Sequence, residues 1–593
     1  MRVGADTGGT FTDVVGDDGR IAKVLSTPDD PGSAVRTGVG RLAGDRPAHL
    51  AHGTTVATNA LLEGRGAVVA LVTTEGLRDV IEIGRQDRPA LYDPAVVRPA
   101  PLVARPHRFE VRGRLAADGA ELAPVVPVAL PKMPEEVEAV AVCLLHADLS
   151  PAQEQAVALH LRGLGHDVTC SHEVSPEMRE HERTVTTVIN AALRPRCRAY
   201  LRGIASVADE VQVMSSAGGL LPLAEAAERP AALLLSGPAG GVRAAAAAAV
   251  ANGFPDAITF DMGGTSTDVC LVLGGEPAPA AERSVGGHTV RFPSLDIHTI
   301  GAGGGSIARL DPGGALVVGP QSAGADPGPA CYGRGGTAPT VTDADLVAGR
   351  IPPGAAFGGL VLDGAAAARA IADAGVTADG VIAVVDAGME RALRAVSVER
   401  GVDPRGLALV AFGGAGPLHA CALAEALDMP AVIVPARAGV LSAVGLLTSP
   451  RQRDLVRSWP TPGDLDGLDA SLAELAREAR SLVGTGAAST TSVDCRYQGQ
   501  SHELTVDSVA DFHDAHRQRN GFARPDAPIE VIALRATATL PPALDLTDLP
   551  APSRSTATGP VALAEPDCTI WLPAGWRAEP GQAGALVLRR TQR

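Results

Sequence analysis

The chain reads ADTGGTFTDV at residues 5–14 and repeats this pattern as FDMGGTSTDV at residues 260–269. Both copies fit the frame Asp-x-Gly-Gly-Thr-x-Thr-Asp-Val, which begins at Asp6 and at Asp261. A frame that recurs within one chain indicates two related halves. Each copy lies between short apolar runs that end in Gly- or Asp-rich turns, so each predicts a β-hairpin rather than a loop that opens a helix.

The residues of the frame are suited to binding phosphate. Adjacent glycines allow backbone N–H groups to approach phosphate oxygens closely, and Thr10 and Thr265 add hydroxyl donors. Asp6 and Asp261 supply the hard oxygen ligands that Mg²⁺ prefers, directly or through water. A Walker loop or a Rossmann fingerprint would open a helix and has a different glycine spacing. The sequence therefore predicts two phosphate loops around one nucleotide.

A third glycine-rich stretch, LVAFGGAGPLH, occupies residues 409–419. It predicts an apolar strand, a Gly-Gly-x-Gly turn and a helix over about residues 418–427. In its place and order it resembles the adenosine-contacting loop of the actin, sugar-kinase and Hsp70 ATPase superfamily.

Further stretches narrow the resemblance to the hydantoinase A / 5-oxoprolinase family of that superfamily. They are HGTTVATNA (52–60), SGPAGGV (236–242), DIHTIGAGGGSI (296–307), GADPGPACYG (324–333), RGVDPR (400–405) and RYQGQ (496–500). The resemblance runs from residue 1 to about residue 540. It implies an α/β fold of duplicated actin-like (ribonuclease H-like) ATPase domains with a nucleotide cleft between them, plus a smaller C-terminal α+β domain.

The resemblance also implies a division of the chain and a set of site residues. The expected segments are an N-terminal domain with the first phosphate loop (1–175), a central ATPase domain (176–450) and a C-terminal domain (451–593). The expected nucleotide-binding residues are Asp6, Thr7, Gly8, Gly9, Thr10, Thr12, Asp261, Gly263, Gly264, Thr265, Thr267, Gly413, Gly414 and Gly416. Asp6 and Asp261 are the expected Mg²⁺ ligands, and either Asp13 or Asp268 would position the attacking oxygen.

Members of this family use ATP to activate a carbonyl compound. The implied function is ATP-dependent ring opening of a cyclic amide, such as a hydantoin, 5-oxoproline or a related lactam, by phosphorylation of the amide oxygen. The alternative is the ATP-hydrolysing subunit of an acetone- or acetophenone-type ketone carboxylase, because ATP loops do not determine the substrate. A non-catalytic or chaperone-like ATPase is a third hypothesis, and it predicts ATP binding without dependence on a small molecule.

Composition limits the partners and the compartment. With 593 residues and a net charge of −16, the chain is a poor match for nucleic acid or an anionic membrane. It has no apolar run of the roughly 18 residues that a spanning helix needs, and its start leads directly into the first frame, so we expect a cytoplasmic protein without a signal peptide. Its eight scattered cysteines predict reduced, buried thiols. Lys23 and Lys132 are the only lysines, so we expect arginine or backbone to bind phosphate.

The resemblance does not extend to the second large half of the long single-chain oxoprolinases. Family members of this length commonly pair with a separate hydantoinase B-type subunit, so we expect a hetero-oligomer. The Pro- and Arg-rich stretch 84–134 is interpreted as a lid or a partner surface, and the Pro-rich tail 541–593 as a small β element.

Several local patterns have more than one interpretation. Residues 236–241 fit an anion site or the close packing of a small-residue helix, and the glycine-dense residues 301–306 must pass close to a ligand or to backbone. Asp296 and His298 share a strand face and fit a metal pair only if further ligands join them. The stretch from Ser175 predicts a helix start, and the charges at 180–183 are interpreted as a solvated face rather than a substrate site. Cys331 is interpreted as a buried thiol rather than a nucleophile.

Overall fold

The computed structural model describes residues 1–9, 11–27, 30–86, 90–93, 95–97, 100–352, 356–357 and 360–591. Its architecture is mixed α/β, built around two large sheets. The elements before residue 236 are β1 (Arg2–Thr7), β2 (Phe11–Gly16), β3 (Ile21–Leu25), α1 (Pro31–Ala43), β4 (His49–Thr54), α2 (Val56–Leu62), β5 (Val69–Thr74), α3 (Val80–Ile83), β6 (Arg108–Val111), β7 (Arg114–Leu115), β8 (Glu121–Ala123), β9 (Ala139–Cys143), α4 (Ala152–Gly163), β10 (Val168–Cys170), α5 (Ser171–Val174), α6 (Glu180–Ile204), β11 (Glu210–Met214), β12 (Leu220–Pro222) and α7 (Leu223–Glu228).

The remaining elements follow in two groups. Up to residue 450 they are α8 (Gly237–Ala251), β13 (Ala257–Met262), β14 (Thr267–Leu273), β15 (Glu276–Pro277), β16 (Pro279–Val285), β17 (His288–Leu295), β18 (His298–Ile300), β19 (Ser306–Leu310), β20 (Leu316–Ser322), α9 (Val341–Val347), β21 (Ala356–Phe357), β22 (Leu360–Val361), α10 (Gly364–Asp373), α11 (Ala378–Val396), β23 (Ala408–Phe412), α12 (Gly416–Ala426), β24 (Val432–Val434) and α13 (Leu441–Leu447). Beyond it they are β25 (Arg451–Ser458), α14 (Leu468–Val483), β26 (Ala488–Tyr497), β27 (Leu504–Val506), α15 (Phe512–Asn520), β28 (Ile529–Leu540), β29 (Ala557–Thr558), β30 (Val561–Ala564), β31 (Thr569–Leu572), β32 (Trp576–Pro580) and β33 (Leu586–Arg590).

The two large sheets share one pattern of strand pairing. The first has the order β3-β2-β1-β4-β11-β12-β25-β28-β26-β27, and the second β15-β14-β13-β23-β24-β33-β32-β29. In the first, β1 pairs antiparallel with β2 and parallel with β4, and β4 pairs parallel with β11. In the second, β13 pairs antiparallel with β14 and parallel with β23, and β23 pairs parallel with β24. The repeated frame therefore marks a duplicated fold, and both predicted hairpins are confirmed.

Two helices rich in small residues join the halves. Helix α8 packs on β13 and β23 of the second sheet, α13 packs on β1 and β4 of the first sheet, and the two helices pack on each other. At their contact a Cβ on Gly445 would collide with the backbone oxygen of Gly240. Both α8 glycines at 240 and 241 are buried. The structure thus confirms close helix packing at Gly240 and Gly241, and the anion site at the start of the helix stays a prediction.

The chain after residue 450 extends both sheets. Strands β25, β28, β26 and β27 lengthen the first sheet. In the tail, which is β structure as predicted, β33 pairs antiparallel with β24, so β29, β32 and β33 belong to the second sheet, while β30 and β31 pair separately. An edge strand with free backbone groups accepts such an addition readily. The expected boundaries at residues 175 and 450 stay predictions, since the first sheet takes strands from all three segments.

The interpretation of the charged stretch at 180–183 as a solvated face is wrong for Glu182 and Arg183. Arg183 is fully buried and pairs with Asp148, and Glu182 accepts hydrogen bonds from Arg85 at 2.6 Å. The helix also begins at Glu180 rather than Ser175, because Arg179 has a left-handed backbone conformation (φ 83°) that interrupts it. Glu182 and Arg183 therefore belong to the packed interior, while Glu180 and His181 are half-buried.

The cysteines agree with the prediction from their spacing. All eight lie within the described residues, and each is an unpaired, buried thiol. Burial raises the pKa of Cys331, with a further rise from Asp343, which leaves it a poor nucleophile and confirms the buried-thiol interpretation. Within the described ranges, no helix combines the length and the apolar character needed to cross a bilayer.

Candidate nucleotide-binding site

The first predicted phosphate loop is the turn between β1 and β2. The register places Asp6 opposite Asp13, so both carboxylates lie on one face of the hairpin. The Gly8 N–H donates to the backbone oxygen of Phe11 at 2.9 Å and closes the turn. Gly9 is exposed at the tip, and Thr10 lies outside the described residues.

The second predicted phosphate loop repeats this geometry between β13 and β14. Asp261 lies opposite Asp268, and the Gly263 N–H donates to the backbone oxygen of Ser266 at 3.1 Å. Gly264 and Thr265 are exposed at its tip. Gly263 and Gly8 hold the same position in the frame, as do Ser266 and Phe11. Equivalent hydrogen bonds therefore close the two turns.

The four aspartates of the hairpins influence one another's ionisation. Burial raises the pKa of Asp6 to about 7, with a further rise from Asp13. Burial raises the pKa of Asp261 well above its usual range, and the carboxylates of Asp268, Asp6 and Asp13 add to the rise. Because Asp6 and Asp13 belong to the other hairpin, the two hairpins face each other. Carboxylates held this close need protons or a cation among them.

The surroundings of Asp6 and Asp261 fit a divalent cation. Asp6 Oδ1 is buried and accepts no hydrogen bond from any described residue. A Cβ on Gly53 would lie 2.6 Å from this oxygen, and a Cβ on Gly413 would collide with Asp261 Oδ1. Glycine therefore borders both carboxylates where a larger residue would displace them. An unpartnered carboxylate oxygen near three other carboxylates fits the oxygen-rich coordination of Mg²⁺.

The predicted adenosine loop borders the second phosphate loop. Strand β23 leads into Gly413 and Gly414, and α12 begins at Gly416 rather than at residue 418. The Ala415 N–H donates to the backbone oxygen of Met262 at 3.0 Å. Gly413 has a φ of 80°, a conformation that favours glycine. The structure therefore brings all three glycine-rich stretches to one cleft.

The stretch at residues 52–55 belongs to the same region, which the sequence analysis did not predict. Its first three residues end strand β4, the counterpart of β23 in the other half. Burial lowers the pKa of His52 to about 4, so the ring is neutral. His52 Nδ1 lies 2.9 Å from the Ala5 backbone oxygen and Nε2 2.7 Å from the Tyr200 hydroxyl. A neutral ring that donates from Nδ1 and accepts at Nε2 satisfies both partners. The Thr55 hydroxyl donates to the Thr7 backbone oxygen at 3.2 Å.

The two hairpins differ in what holds the second aspartate. Lys23 Nζ lies 2.6 Å from Asp13 Oδ1, so a lysine borders the first loop. The expectation that arginine or backbone binds the phosphates stays a prediction. Asp268 instead accepts a hydrogen bond from the Thr299 hydroxyl. Burial raises the pKa of Asp268 to about 6, while Thr299 and Arg283 act to lower it. Burial also raises the pKa of Asp13, and Lys23 opposes that rise.

Three of the predicted threonines are buried. Thr7, Thr12 and Thr267 lie in the strands that flank the turns. The Thr12 hydroxyl is 3.1 Å from the Ser26 hydroxyl, and the Thr267 hydroxyl donates to the Ala302 backbone oxygen at 2.6 Å. These hydroxyls brace the hairpins, and their contact with phosphate stays a prediction.

The glycine-dense residues 301–305 cross the second phosphate loop. The Gly304 N–H donates to the Gly263 backbone oxygen at 3.0 Å, and the Gly305 N–H to the Gly264 backbone oxygen at 2.6 Å. A Cβ on Gly303 would lie 2.7 Å from the Thr265 backbone nitrogen. The predicted close approach is thus to backbone.

Asp296 interacts with arginines, whereas the sequence suggested a metal pair with His298. Its carboxylate pairs with Arg400 and lies 4.0 Å from Arg283 Nη1. His298 is exposed on β18. Among the described residues, the groupings of three or more potential ligands do not include Asp296 or His298. The further ligands that the metal interpretation required are therefore missing from the described part of the chain.

Comparison with known proteins relates the chain to one family. Two family models match the chain, "Hydantoinase/oxoprolinase" over residues 183–454 and "Hydantoinase/oxoprolinase N-terminal region" over residues 2–165. Caprolactamase subunit alpha of Pseudomonas jessenii is 35% identical, covering 90% of this chain and 86% of that protein. 5-oxoprolinase 1 of Arabidopsis thaliana is 32% identical, covering 88% of this chain and 48% of that protein. The acetophenone carboxylase gamma subunit of Aromatoleum aromaticum is 34% identical, covering 75% and 66%.

A solved structure agrees over the whole fold. The ATP-dependent caprolactamase from Pseudomonas jessenii superposes with a TM-score of 0.87 at 30% identity, covering 100% of both chains. The predicted fold class, with duplicated actin-like ATPase domains, is therefore confirmed.

Proposed function

This chain belongs to the hydantoinase/oxoprolinase family, and we propose that it is the ATP-hydrolysing subunit of an enzyme that opens a cyclic amide. The observation that carries the proposal is the pair of facing hairpins, each with two aspartates, beside a third glycine-rich loop. The relatives named caprolactamase and 5-oxoprolinase support a lactam-type substrate. ATP use is supported by the caprolactamase described as ATP-dependent.

The proposed chemistry overcomes the stability of the amide. The γ-phosphoryl group of ATP passes to the amide oxygen as its bond to ADP breaks, which makes the amide carbon more electrophilic. Water adds to this carbon, the carbon–nitrogen bond of the ring breaks and the nitrogen takes a proton. A second water hydrolyses the resulting acyl phosphate, which releases the open-chain amino acid and inorganic phosphate. Phosphoryl transfer needs mainly positioning and charge stabilisation from the protein. Mg²⁺, held by Asp6 and Asp261, would neutralise charge on the phosphates.

The chain's own groups have distinct proposed roles. The exposed backbone at Gly9 and at Gly264–Thr265 orients the phosphates, and Gly413, Gly414 and Gly416 border the adenosine. Asp268 positions the attacking oxygen, because its carboxylate is held by a hydroxyl and has a pKa of about 6. A base with a pKa near the working pH is efficient and still ionised. Asp13 is less suited to this role, since Lys23 compensates its charge.

A second subunit is the proposed partner. Two relatives carry subunit names, alpha in the caprolactamase and gamma in the acetophenone carboxylase. Within the segment interpreted as a lid or partner surface, several apolar side chains are exposed. They are Leu91 (74% exposed), Tyr92 (97%), Val97 (86%) and Val128 (76%). Apolar side chains this exposed fit a surface that another chain covers. We therefore propose a hetero-oligomer with a hydantoinase B-type subunit.

The test is ADP release by the purified chain with Mg-ATP, with and without a B-type subunit. Each protein is assayed with a panel of lactams, hydantoins, 5-oxoproline, and ketones plus bicarbonate. Stimulation by a cyclic amide is the expected result. Stimulation only by a ketone with bicarbonate would support the second candidate, a ketone carboxylase subunit, which the gamma-subunit relative favours. ATP hydrolysis that no compound changes would support a chaperone-like ATPase.

A further inference from the structure

Helix α12 carries a buried histidine that the proposed chemistry does not use. His419 Nδ1 lies 2.6 Å from Asp386 Oδ1 on α11, and Nε2 lies 3.2 Å from Asp345 Oδ2 on α9. The ring is completely buried. Burial alone would lower the pKa of His419, but the carboxylates of Asp345 and Asp386 outweigh it and raise the pKa to about 10. At neutral pH the ring is therefore an imidazolium between carboxylates from two other helices.

Asp345 depends on this imidazolium for charge compensation. Its side chain is buried, and neither of its oxygens accepts a well-aligned hydrogen bond from a described residue. Arg350 also approaches, with Nη1 3.8 Å from Asp345 Oδ1, but this nitrogen donates its hydrogen bond to the Leu418 backbone oxygen at 3.4 Å. A buried carboxylate that loses its counter-charge is strongly destabilising. The pair of Asp345 and His419 therefore holds α9 against α12.

On the side of α9, this pair connects to the second phosphate loop. Thr342 lies one helical turn before Asp345, and its N–H and its hydroxyl both donate to the Gly304 backbone oxygen at 2.8 Å. The Gly304 N–H in turn donates to the Gly263 backbone oxygen at 3.0 Å. These direct hydrogen bonds fix the second phosphate loop relative to α9.

On the side of α12, the pair connects to the adenosine loop. Ala415 lies one turn before His419, and its N–H donates to the Met262 backbone oxygen at 3.0 Å. Met262 directly precedes Gly263, where the path from α9 arrives. The contacts from α9 and from α12 therefore meet at residues 262–263. The interaction of His419 with Asp345 connects the two helices directly.

We propose that His419 is a positioning residue that fixes the second phosphate loop and the adenosine loop at the separation a nucleotide requires. The inference rests on the proposed nucleotide site. His419 acts through backbone at residues 263–264 and 413–416 and contacts no reacting atom. Loss of its charge leaves Asp345 with only the more distant guanidinium of Arg350 and loosens α9 from α12. Nucleotide affinity then falls equally in the ground state and the transition state, which raises KM for ATP and leaves kcat nearly unchanged.

The test compares wild type, His419→Gln, the double variant Asp345→Asn/His419→Gln, and a control, Asp379→Asn, which changes an exposed aspartate on α11. ADP binding with Mg²⁺ is measured by calorimetry, and ADP release is measured at steady state. His419→Gln is expected to weaken ADP binding and raise KM for ATP by about 10-fold, with kcat within about 3-fold of wild type. In the double variant the buried Asp345 carboxylate that lost its imidazolium is gone as well, so ADP affinity should recover to within about 3-fold of wild type.

The outcomes separate this inference from the proposed function. A wild-type protein that binds no nucleotide overturns both. A wild type that binds ADP, with a folded His419→Gln protein that binds equally well, overturns the inference alone, even if the variant melts at a lower temperature. If His419→Gln does not fold, Asp345→Ala decides in the same way, because it removes the contact with α9 and leaves His419 its contact with Asp386. An unchanged KM for ATP in a folded Asp345→Ala protein would then overturn the inference.

Discussion

The two hairpins have the same backbone and different electrostatics. In both, the first and second aspartates face each other across one register, and one N–H···O bond closes the turn. Asp13, however, pairs with the ammonium of Lys23, whereas Asp268 accepts a hydrogen bond from the Thr299 hydroxyl. The frame thus preserves the shape of the turn, which we propose binds phosphate. Residues outside the frame give the two second aspartates different surroundings. A charge-compensated carboxylate suits a supporting role, and an uncompensated one suits acid–base chemistry.

The hairpins also differ in how they are braced. The Ser26 hydroxyl donates to the Gly8 backbone oxygen at 2.8 Å in the first half. In the second, residues 301–305 cross the loop and bond to Gly263 and Gly264. A loop that is hydrogen-bonded to a covering segment shifts when that segment shifts. The second hairpin is therefore the one that we expect mutations to affect most.

The largest expected effect comes from Asp261. In Asp261→Asn, ADP release with Mg-ATP should fall by about 10³-fold, because a proposed metal ligand loses its charge. The unliganded variant should melt no lower than wild type, since one of four mutually repelling carboxylates is gone. Asp18→Asn is the control, because Asp18 is an exposed aspartate of the β2–β3 turn paired with Arg20. Full activity in a folded Asp261→Asn protein would contradict the nucleotide site.

The second prediction compares the second aspartates directly. Asp268→Asn should lower kcat by about 10²-fold, since general-base assistance has this size or more. Asp13→Asn should lower kcat by about 10-fold or less, because it removes a carboxylate that Lys23 already compensates. The measurement is steady-state ADP release at saturating ATP and substrate. A larger loss in Asp13→Asn than in Asp268→Asn would reverse the assigned roles.

Much of the fold and of the candidate site could be predicted from short stretches of sequence. The repeated frame predicted both hairpins and the facing aspartates, because its glycines and flanking apolar runs act over short distances. The glycine density at 301–306 predicted a close approach, although the partner backbone at Gly263 could not be identified from the chain alone.

What the sequence missed depends on contacts between distant segments. The pairing of β33 with β24 joins residues more than 150 positions apart, and nothing local marks it. Arg183, which is buried against Asp148, lies in a stretch whose charged residues are typical of a solvated face. Lys23 was counted as one of two lysines but was placed near the phosphate loop only by the register of β2 with β3.

The third prediction concerns Lys23, which lowers the pKa of both Asp6 and Asp13. In Lys23→Met these carboxylates hold protons to higher pH and compete less well for Mg²⁺. The Mg²⁺ concentration for half-maximal ADP release at pH 7 should rise by about 3- to 10-fold, and the difference should shrink by pH 8.5. Lys23→Arg keeps the cation and is the matched control. A Mg²⁺ requirement that does not change with Lys23→Met would show that the first hairpin does not share the metal site.

The smallest effect is expected from Thr299, and it tests the second hairpin alone. The Thr299 hydroxyl donates to the ionised Asp268 carboxylate and lowers its pKa, which burial raises to about 6. Thr299→Val removes this donor, so the Asp268 pKa rises. Because a general base must be unprotonated, the acidic limb of kcat/KM should move to higher pH, while the rate at pH 8.5 stays within about 2-fold of wild type. The same substitution should leave the behaviour of Asp13 unchanged, since Lys23 holds that carboxylate in the other half. A limb that stays in place, or moves to lower pH, would mean that the rate-limiting ionisation belongs to a group other than Asp268.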